Sequence, residues 1–298
     1  MYDYGYYIFE GGLYRKNEVI DFIEDLGGVV IEEFSMGLDL VMFIAIPRTD
    51  LESFMKLVEE VKAKVREAKL VGSEVAVVPP SMSFRHLPHP ACDINEYLRR
   101  HGAKTFMVGL SRGVGQKRAM ITSYERDFLN EVDAAVFIMG NVDECIKKKA
   151  VMLRGLHIPI VIVGGPQHVE LPEWIVYVGG LGRVAHRLKS SEEEKILEKI
   201  VNALSKLLEK KRGELLEDPP LVPPVLLKQE VERQIEEAKG STVLKVDGVR
   251  VLLNYDEYSK PVSNVIIEEY RVKEIASIKR SVLNDHILVK LLPESALS

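Results

Sequence analysis

Five short apolar runs between residues 75 and 178 constrain this chain more than any other feature. They are Val75 to Val78, Thr105 to Leu110, Ala134 to Met139, Ile158 to Val163 and Ile175 to Val178. Each run is continuous rather than alternating, as expected of strands covered on both faces. Helical patterns separate most of them: Ile94 to His101, Ser123 to Asn130, Asp143 to Leu153 and Arg183 to Lys189. Repeated strand-then-helix predicts an α/β domain over 73–217, built on an open, mostly parallel sheet with helices on both faces.

The flanking segments read differently. Residues 1–72 predict a ferredoxin-like α+β domain, βαββαβ. Tyr4 to Phe9 is the first strand, and Asn17 to Leu26 is a helix stopped by Gly27-Gly28. Val29 to Phe34 and Leu38 to Ile46 form a hairpin across Ser35-Met-Gly37. A helix capped at Thr49 or Asp50 runs to about Lys69, and Leu70-Val71 is the last strand, stopped by Gly72. A long charged helix spans 191–216. Residues 218–240 are a Pro-rich linker, Asp218-Pro-Pro and Val222-Pro-Pro, with a charged helix from Lys228 to Lys239. Residues 241–298 alternate like strands and predict a small C-terminal β-rich domain.

A net charge of -5 over 298 residues gives no whole-chain case for nucleic-acid binding, which wants a basic face. The N-terminus lacks a basic start and an apolar run, so no signal peptide is expected. No stretch of about 18 apolar residues offers a membrane span. With only Cys92 and Cys145, no disulfide framework forms, and a reducing cytoplasm is expected.

In open parallel sheets ligands bind at the carboxyl ends of the strands. Both cysteines and four of the seven histidines fall after the predicted strand ends. His86-Leu-Pro-His89-Pro-Ala-Cys92 spaces three possible ligands at intervals of three, a set suited to zinc or an iron–sulfur centre. Cys92 begins one helix and Cys145 lies in the first turn of another, positions that favour a metal-binding or reactive thiolate. The common zinc and four-cysteine patterns are absent, so His86, His89, Cys92 and Cys145 make a partial set. The competing reading has the prolines shaping a turn and both cysteines packing as small hydrophobes.

Ser111-Arg112-Gly113-Val-Gly115-Gln-Lys117 resembles an anion-binding turn, though it is neither GxxxxGK[ST] nor GxGxxG. Gly179-Gly180-Leu-Gly182-Arg183 and Gly164-Gly165-Pro166 lie at strand ends, where glycine serves either a ligand or close packing. His168 and His186 lie beside those turns. Asp127, Glu131 and Asp133 read as solvated charges. These features leave open an independent α/β enzyme that binds an anionic substrate, with Cys92 or His89 as catalyst.

Several segments carry a family resemblance. HLPHPACD, NEYLRRHGAKT and GLSRGVG, then AAVFIMGNVDECIKKK, IPIVIVGGP, YVGGLGRVAHRL, DPPLVPP and HILVKLLPES resemble the methanogenesis marker protein 7 family across essentially the whole chain. The resemblance implies a subunit of the archaeal complex that reductively activates methyl-coenzyme M reductase, using ATP and low-potential electrons. It implies iron–sulfur clusters in that complex, other activation subunits and the reductase as partners, and Cys92, Cys145, His86 or His89 as candidate cluster ligands. Without a P-loop in this chain, ATP is expected on another subunit.

Overall fold

A computed structural model of the chain describes residues 3–79, 89–112, 119–181 and 190–297. The fold is mixed α/β, with one parallel sheet, separate antiparallel sheets and helices. It divides into two compact units, one formed by Met1–Gly72 with Gly213–Ser298 and the other by Ser73–Arg212.

The N-terminal segment runs β1 (Tyr4–Gly12), α1 (Lys16–Asp25), β2 (Val29–Met36), β3 (Asp39–Pro47), α2 (Leu51–Glu60) and β4 (Lys64–Glu67). Its sheet has the order β2-β3-β1-β4, with every neighbouring pair antiparallel. Side chains alternate between the two faces, as the two-residue period of a strand requires. Phe9, Met42, Ile44 and Ile46 pack with Val19, Ile23, Phe54 and Val58 of the two helices on one face. Tyr4, Ile8, Val29 and Ala45 belong to the core on the other.

Both helices end in the same motif. Gly27, at φ 70°, donates to Glu24 O and Gly28 donates to Ile23 O. Lys62, at φ 53°, donates to Glu59 O while Ala63 donates to Val58 O. This is the left-handed termination that usually employs glycine. It stops α2 nine residues short of the expected Lys69, so the fourth strand is Lys64–Glu67 rather than Leu70-Val71. Leu70 and Val71 lie buried in a turn instead.

The central unit contains β5 (Glu74–Val78), α3 (His89–Arg100), β6 (Lys104–Met107), β7 (Ser111–Arg112), β8 (Ala119–Met120), α4 (Ser123–Leu129), β9 (Ala134–Ile138), α5 (Asp143–Ala150), β10 (Ile160–Val163), β11 (Ile175–Val178) and most of α6 (Ser190–Glu217). Its main sheet has the order β11-β10-β9-β5-β6 and is parallel throughout. Every residue of β5, β9 and β10 is buried, which is why those runs are uninterrupted by polar residues. The second run stops at Met107, and β7 and β8 pair as a separate two-residue antiparallel ribbon. The expected helix from Arg183 to Lys189 lies outside the described residues.

The C-terminal segment consists of α7 (Pro224–Gln234), β12 (Thr242–Lys245), β13 (Gly248–Val251), α8 (Tyr255–Asn264), β14 (Ile266–Ile267), β15 (Tyr270–Arg271), α9 (Val272–Ile275), β16 (Ala276–Arg280) and β17 (Ile287–Leu291). Strands β12-β13-β17-β16 make an antiparallel sheet, and β14 with β15 a small ribbon. The segment does not stand as a body of its own. Val225, Leu227 and Val231 of α7 and Val249, Val251, Ile287 and Val289 of the sheet share one core with Ile8, Val29, Ala45 and Val71.

The Pro-rich stretch is likewise no open spacer. Val222 is fully buried, Pro220 bridges Pro293, and Ser295 Oγ donates to Asp218 Oδ2 at 2.5 Å. Helix α7 starts at Pro224, where the missing N–H costs nothing. It ends at Gln234, earlier than the expected Lys239, because Ile235 turns extended.

Candidate site at the carboxyl edge of the parallel sheet

From β5 the chain crosses to β6 at one edge, then returns past β5 to β9 and continues outward through β10 to β11. The connections leaving β5 and β9 therefore diverge. Right-handed crossovers place their helices, α3 and α5, on opposite faces of the sheet. Such a reversal opens a crevice at the strand carboxyl ends, the usual ligand position in doubly wound sheets.

Both cysteines stand on the helices that flank this crevice. In α3, Ala91, Ile94 and Leu98 form the buried seam, and Cys92 sits beside it in the first turn, free and exposed. In α5, Ile146 and Ala150 are buried, while Cys145 in the first turn is again free and exposed. The reading of Cys92 and Cys145 as buried small hydrophobes is thereby replaced. Each helix also carries a carboxylate close in sequence to its cysteine. Asp93 Oδ2 and Asp143 Oδ1 are buried with no hydrogen-bond partner among the described residues, although Asp143 Oδ2 pairs with Lys147 at 3.0 Å. Sequence reasoning missed both, yet Asp93 directly succeeds Cys92 and Asp143 precedes Cys145 by two. A side chain added at Gly140, just beyond β9, would meet no atom within 4 Å.

The glycine turns farther along the edge have a packing role. A Cβ on Gly164 would lie 2.8 Å from the Tyr177 hydroxyl and 2.9 Å from Ile146 Cδ1. One on Gly179 would lie 2.4 Å from Pro166 O and 2.5 Å from Gln167 O. Gly180, at φ 94°, sits against the Gln167 side chain and Ile196. Tyr177 donates to Pro166 O at 2.7 Å, and burial, reinforced by the Asp143 carboxylate, raises its pKa to about 12. His168 is exposed on the same loop.

On either side of the candidate anion turn, Ser111 and Arg112 pair with Met120 and Ala119 as a two-residue antiparallel ribbon. The next helix, α4, opens with a capping box in which the N–H groups of Thr122 and Glu125 are each held by the other's side chain. Gly113, Gly115, Gly182, His86 and His186 lie outside the described residues, as do the side chains of His89 and Arg112.

Asp133 is not a solvated charge. It is fully buried at the opposite, amino edge of the sheet, where it accepts from Glu74 N–H at 2.9 Å and lies 3.2 Å from Lys211 Nζ.

Among the described residues, no three His, Cys, Asp or Glu side chains come together as a metal-ligand group. Clusters of the [2Fe–2S] and [4Fe–4S] types take four thiolates, and this chain has two cysteines. Two thiols fall short of that set, so the described residues do not close such a cluster by themselves. No described helix is long and apolar enough to cross a membrane.

The chain is 45% identical over 292 residues to an uncharacterized protein of Methanocaldococcus jannaschii, covering 96% of this chain and 93% of that one. Among solved structures, glutamyl-tRNA reductase from Methanopyrus kandleri matches at 12% identity with a TM-score of 0.22, covering 78% of this chain and 87% of that one. A hypothetical protein matches at 13% identity with a TM-score of 0.24, covering 67% and 87%. Neither superposition is close enough to describe this fold. The family model for methyl-coenzyme M reductase operon protein C matches residues 4–265, and the chain belongs to that family.

Proposed function

We propose that this chain is a cytoplasmic subunit of the ATP-dependent assembly that reductively activates methyl-coenzyme M reductase. In this reading the crevice edge of the parallel sheet is the face it turns toward an iron–sulfur cluster shared with another subunit. One observation carries the proposal: the chain's two cysteines both stand exposed, in the first turns of the two helices that leave the point where strand order reverses. The family match supports the link to the reductase. The narrower marker protein 7 identity belongs to the same reading. So does a ferredoxin-like first sheet, supported by the element order and the strand order β4-β1-β3-β2.

Cys92 and Cys145 would serve as terminal sulfur ligands, with His86 or His89 beside Cys92. A bound cluster supplies one-electron transfer at a potential set by its surroundings. Lys147 holds one oxygen of Asp143, and the other is buried with no hydrogen-bond partner among the described residues. ATP binds a partner subunit, since no GxxxxGK[ST] occurs in this chain.

The test is anaerobic purification of the tagged chain with whatever accompanies it, then iron and sulfide analysis and EPR. Activation subunits or the reductase are expected to co-purify together with iron. Cys92→Ser and Cys145→Ser are each expected to lower the iron content of the assembled complex. Full cluster in both variants would sink the ligand assignment. Isolation of the chain alone and without iron would sink the subunit assignment.

A further inference from the structure

The chain passes between its two compact units twice, from Gly72 to Ser73 and from Arg212 to Gly213. Both crossings lead to one buried carboxylate. On entry, Glu74 opens β5; its N–H donates to Asp133 Oδ2 at 2.9 Å and its carbonyl accepts from Asp133 N–H at 2.8 Å. On exit, Lys211 of α6 lies two residues before Gly213, with Nζ 3.2 Å from Asp133 Oδ1. Asp133 therefore divides its two oxygens between segments that are far apart in sequence. Asp133 and Glu74 are wholly buried, and Ser73, whose carbonyl accepts from Lys104 N–H, is nearly so.

The two crossings differ in slack. Entry has little: Val71 is fully buried, and a Cβ on Gly72, at φ 71°, would lie 3.0 Å from Leu244 Cδ2 and 3.3 Å from Tyr6 Cε1. Exit runs through the body of α6, where Gly213 is exposed and a Cβ would meet no atom within 4 Å. A glycine inside a helix surrenders the most backbone freedom and weakens the helix there. Leu208 is the last fully buried side chain of α6. Lys211, between it and Gly213, reaches back to the buried carboxylate, a pair that salt screens less than a surface one.

We propose that Asp133 is a clasp that makes the two crossings open as one event. Proteins open locally in cooperative pieces, which are usually contiguous in sequence. Here the piece joins two distant segments through one side chain. When α6 melts at Gly213 and carries Lys211 away, the buried carboxylate loses its ammonium, and its hold on the Glu74 N–H is disturbed. When β5 lifts at Glu74, the carboxylate loses a backbone donor and must shift, which loosens Lys211. The unit that carries Cys92 and Cys145 is thus fastened at both of its chain connections or released at both.

The experiment is hydrogen exchange on the full chain, read by mass spectrometry over residues 70–75 and 209–217. Ser123–Leu129 of α4, a helix of the central unit outside the clasp, is the reference. Gly213→Ala has room for its methyl group and is expected to slow exchange at 209–217 about fivefold, the usual effect of alanine for glycine in a helix. Through Asp133 it is expected to slow 70–75 by a similar factor. Lys211→Met is expected to speed both segments about tenfold or more relative to Ser123–Leu129. A change confined to 209–217 in either variant would overturn the proposal, because the crossings would then open separately. So would an equal change over Ser123–Leu129, which would make the effect one on the stability of the whole unit.

Discussion

Asp133 is a fully buried charge in the central unit. Its carboxylate is buried, accepts the Glu74 N–H and faces Lys211, which is only partly exposed. Removing one partner of a buried pair leaves the other uncompensated, and here it also orphans a buried N–H. Asp133→Ala is expected to cost about 3 kcal/mol, and Asp133→Asn less, because the amide oxygen still accepts from Glu74. Trp174, the single tryptophan, lies in this unit and reports its unfolding by fluorescence. An unchanged denaturation midpoint in Asp133→Ala would count against the pairing.

Tyr177 makes a pH prediction of opposite character. Its folded pKa is raised from 10 to about 12, chiefly by burial. Its contribution to stability is therefore intact below pH 10 and lost as pH rises from 10 through 12, where only the unfolded chain ionises readily. The drop in urea midpoint from pH 9 to pH 11.5 should be smaller in Tyr177→Phe than in the parent. An identical drop in both would show that Tyr177 does not contribute.

Among the elements, helix ends show why part of the fold could be read from sequence and part could not. The end of α1 is visible because its left-handed residue is Gly27. The end of α2 uses the same hydrogen bonds, but places Lys62 in the left-handed position, and Lys-Ala-Lys reads as more helix. The pairing of β4 with Tyr7–Glu10 of β1 overrides that local preference. A left-handed conformation costs a side-chain-bearing residue about 1 kcal/mol or more, so Lys62→Gly is expected to stabilise the first unit by about 0.5 kcal/mol after glycine's added unfolded-state entropy. Thermal unfolding monitored by circular dichroism tests this; a lower midpoint would refute it.

The candidate site divides in the same way. The apolar runs of β5 and β9 made the strand ends legible, and with them the placement of Cys92 and Cys145 past a sheet edge. The reversal between β5 and β9 is a matter of long-range pairing, which no local pattern encodes. Nor could sequence separate ligand glycines from packing glycines. That is decided by what a Cβ would meet: backbone oxygens at 2.4 and 2.5 Å for Gly179, side-chain ends for Gly164. Backbone yields less than side chains, so Gly179→Ala is expected to cost about 3 kcal/mol and Gly164→Ala about 1 kcal/mol, read from Trp174 fluorescence in urea. Equal costs would contradict the distinction.

At the scale of the whole molecule, the prolines misled most. Asp218-Pro-Pro and Val222-Pro-Pro have the composition of a stiff spacer, yet Val222 is buried, and Asp218, Pro219 and Pro220 are all tied to residues 293–295. The chain leaves its first unit at Gly72 and re-enters it at Gly213. Alternating strands at both termini looked like two small domains because each segment shows only its own half of a shared core. Residues 1–72 alone would expose Tyr4, Ile8, Val29, Ile31, Ala45 and Val71, the face that the C-terminal segment covers. A fragment of about 70 residues has little stability to spare for such exposure. It is expected to lack a cooperative thermal transition when made alone, and to gain one when mixed with a fragment of residues 213–298. Circular dichroism of the two fragments, separate and mixed, decides it: a cooperative transition in residues 1–72 alone would show that the N-terminal sheet needs only its own two helices.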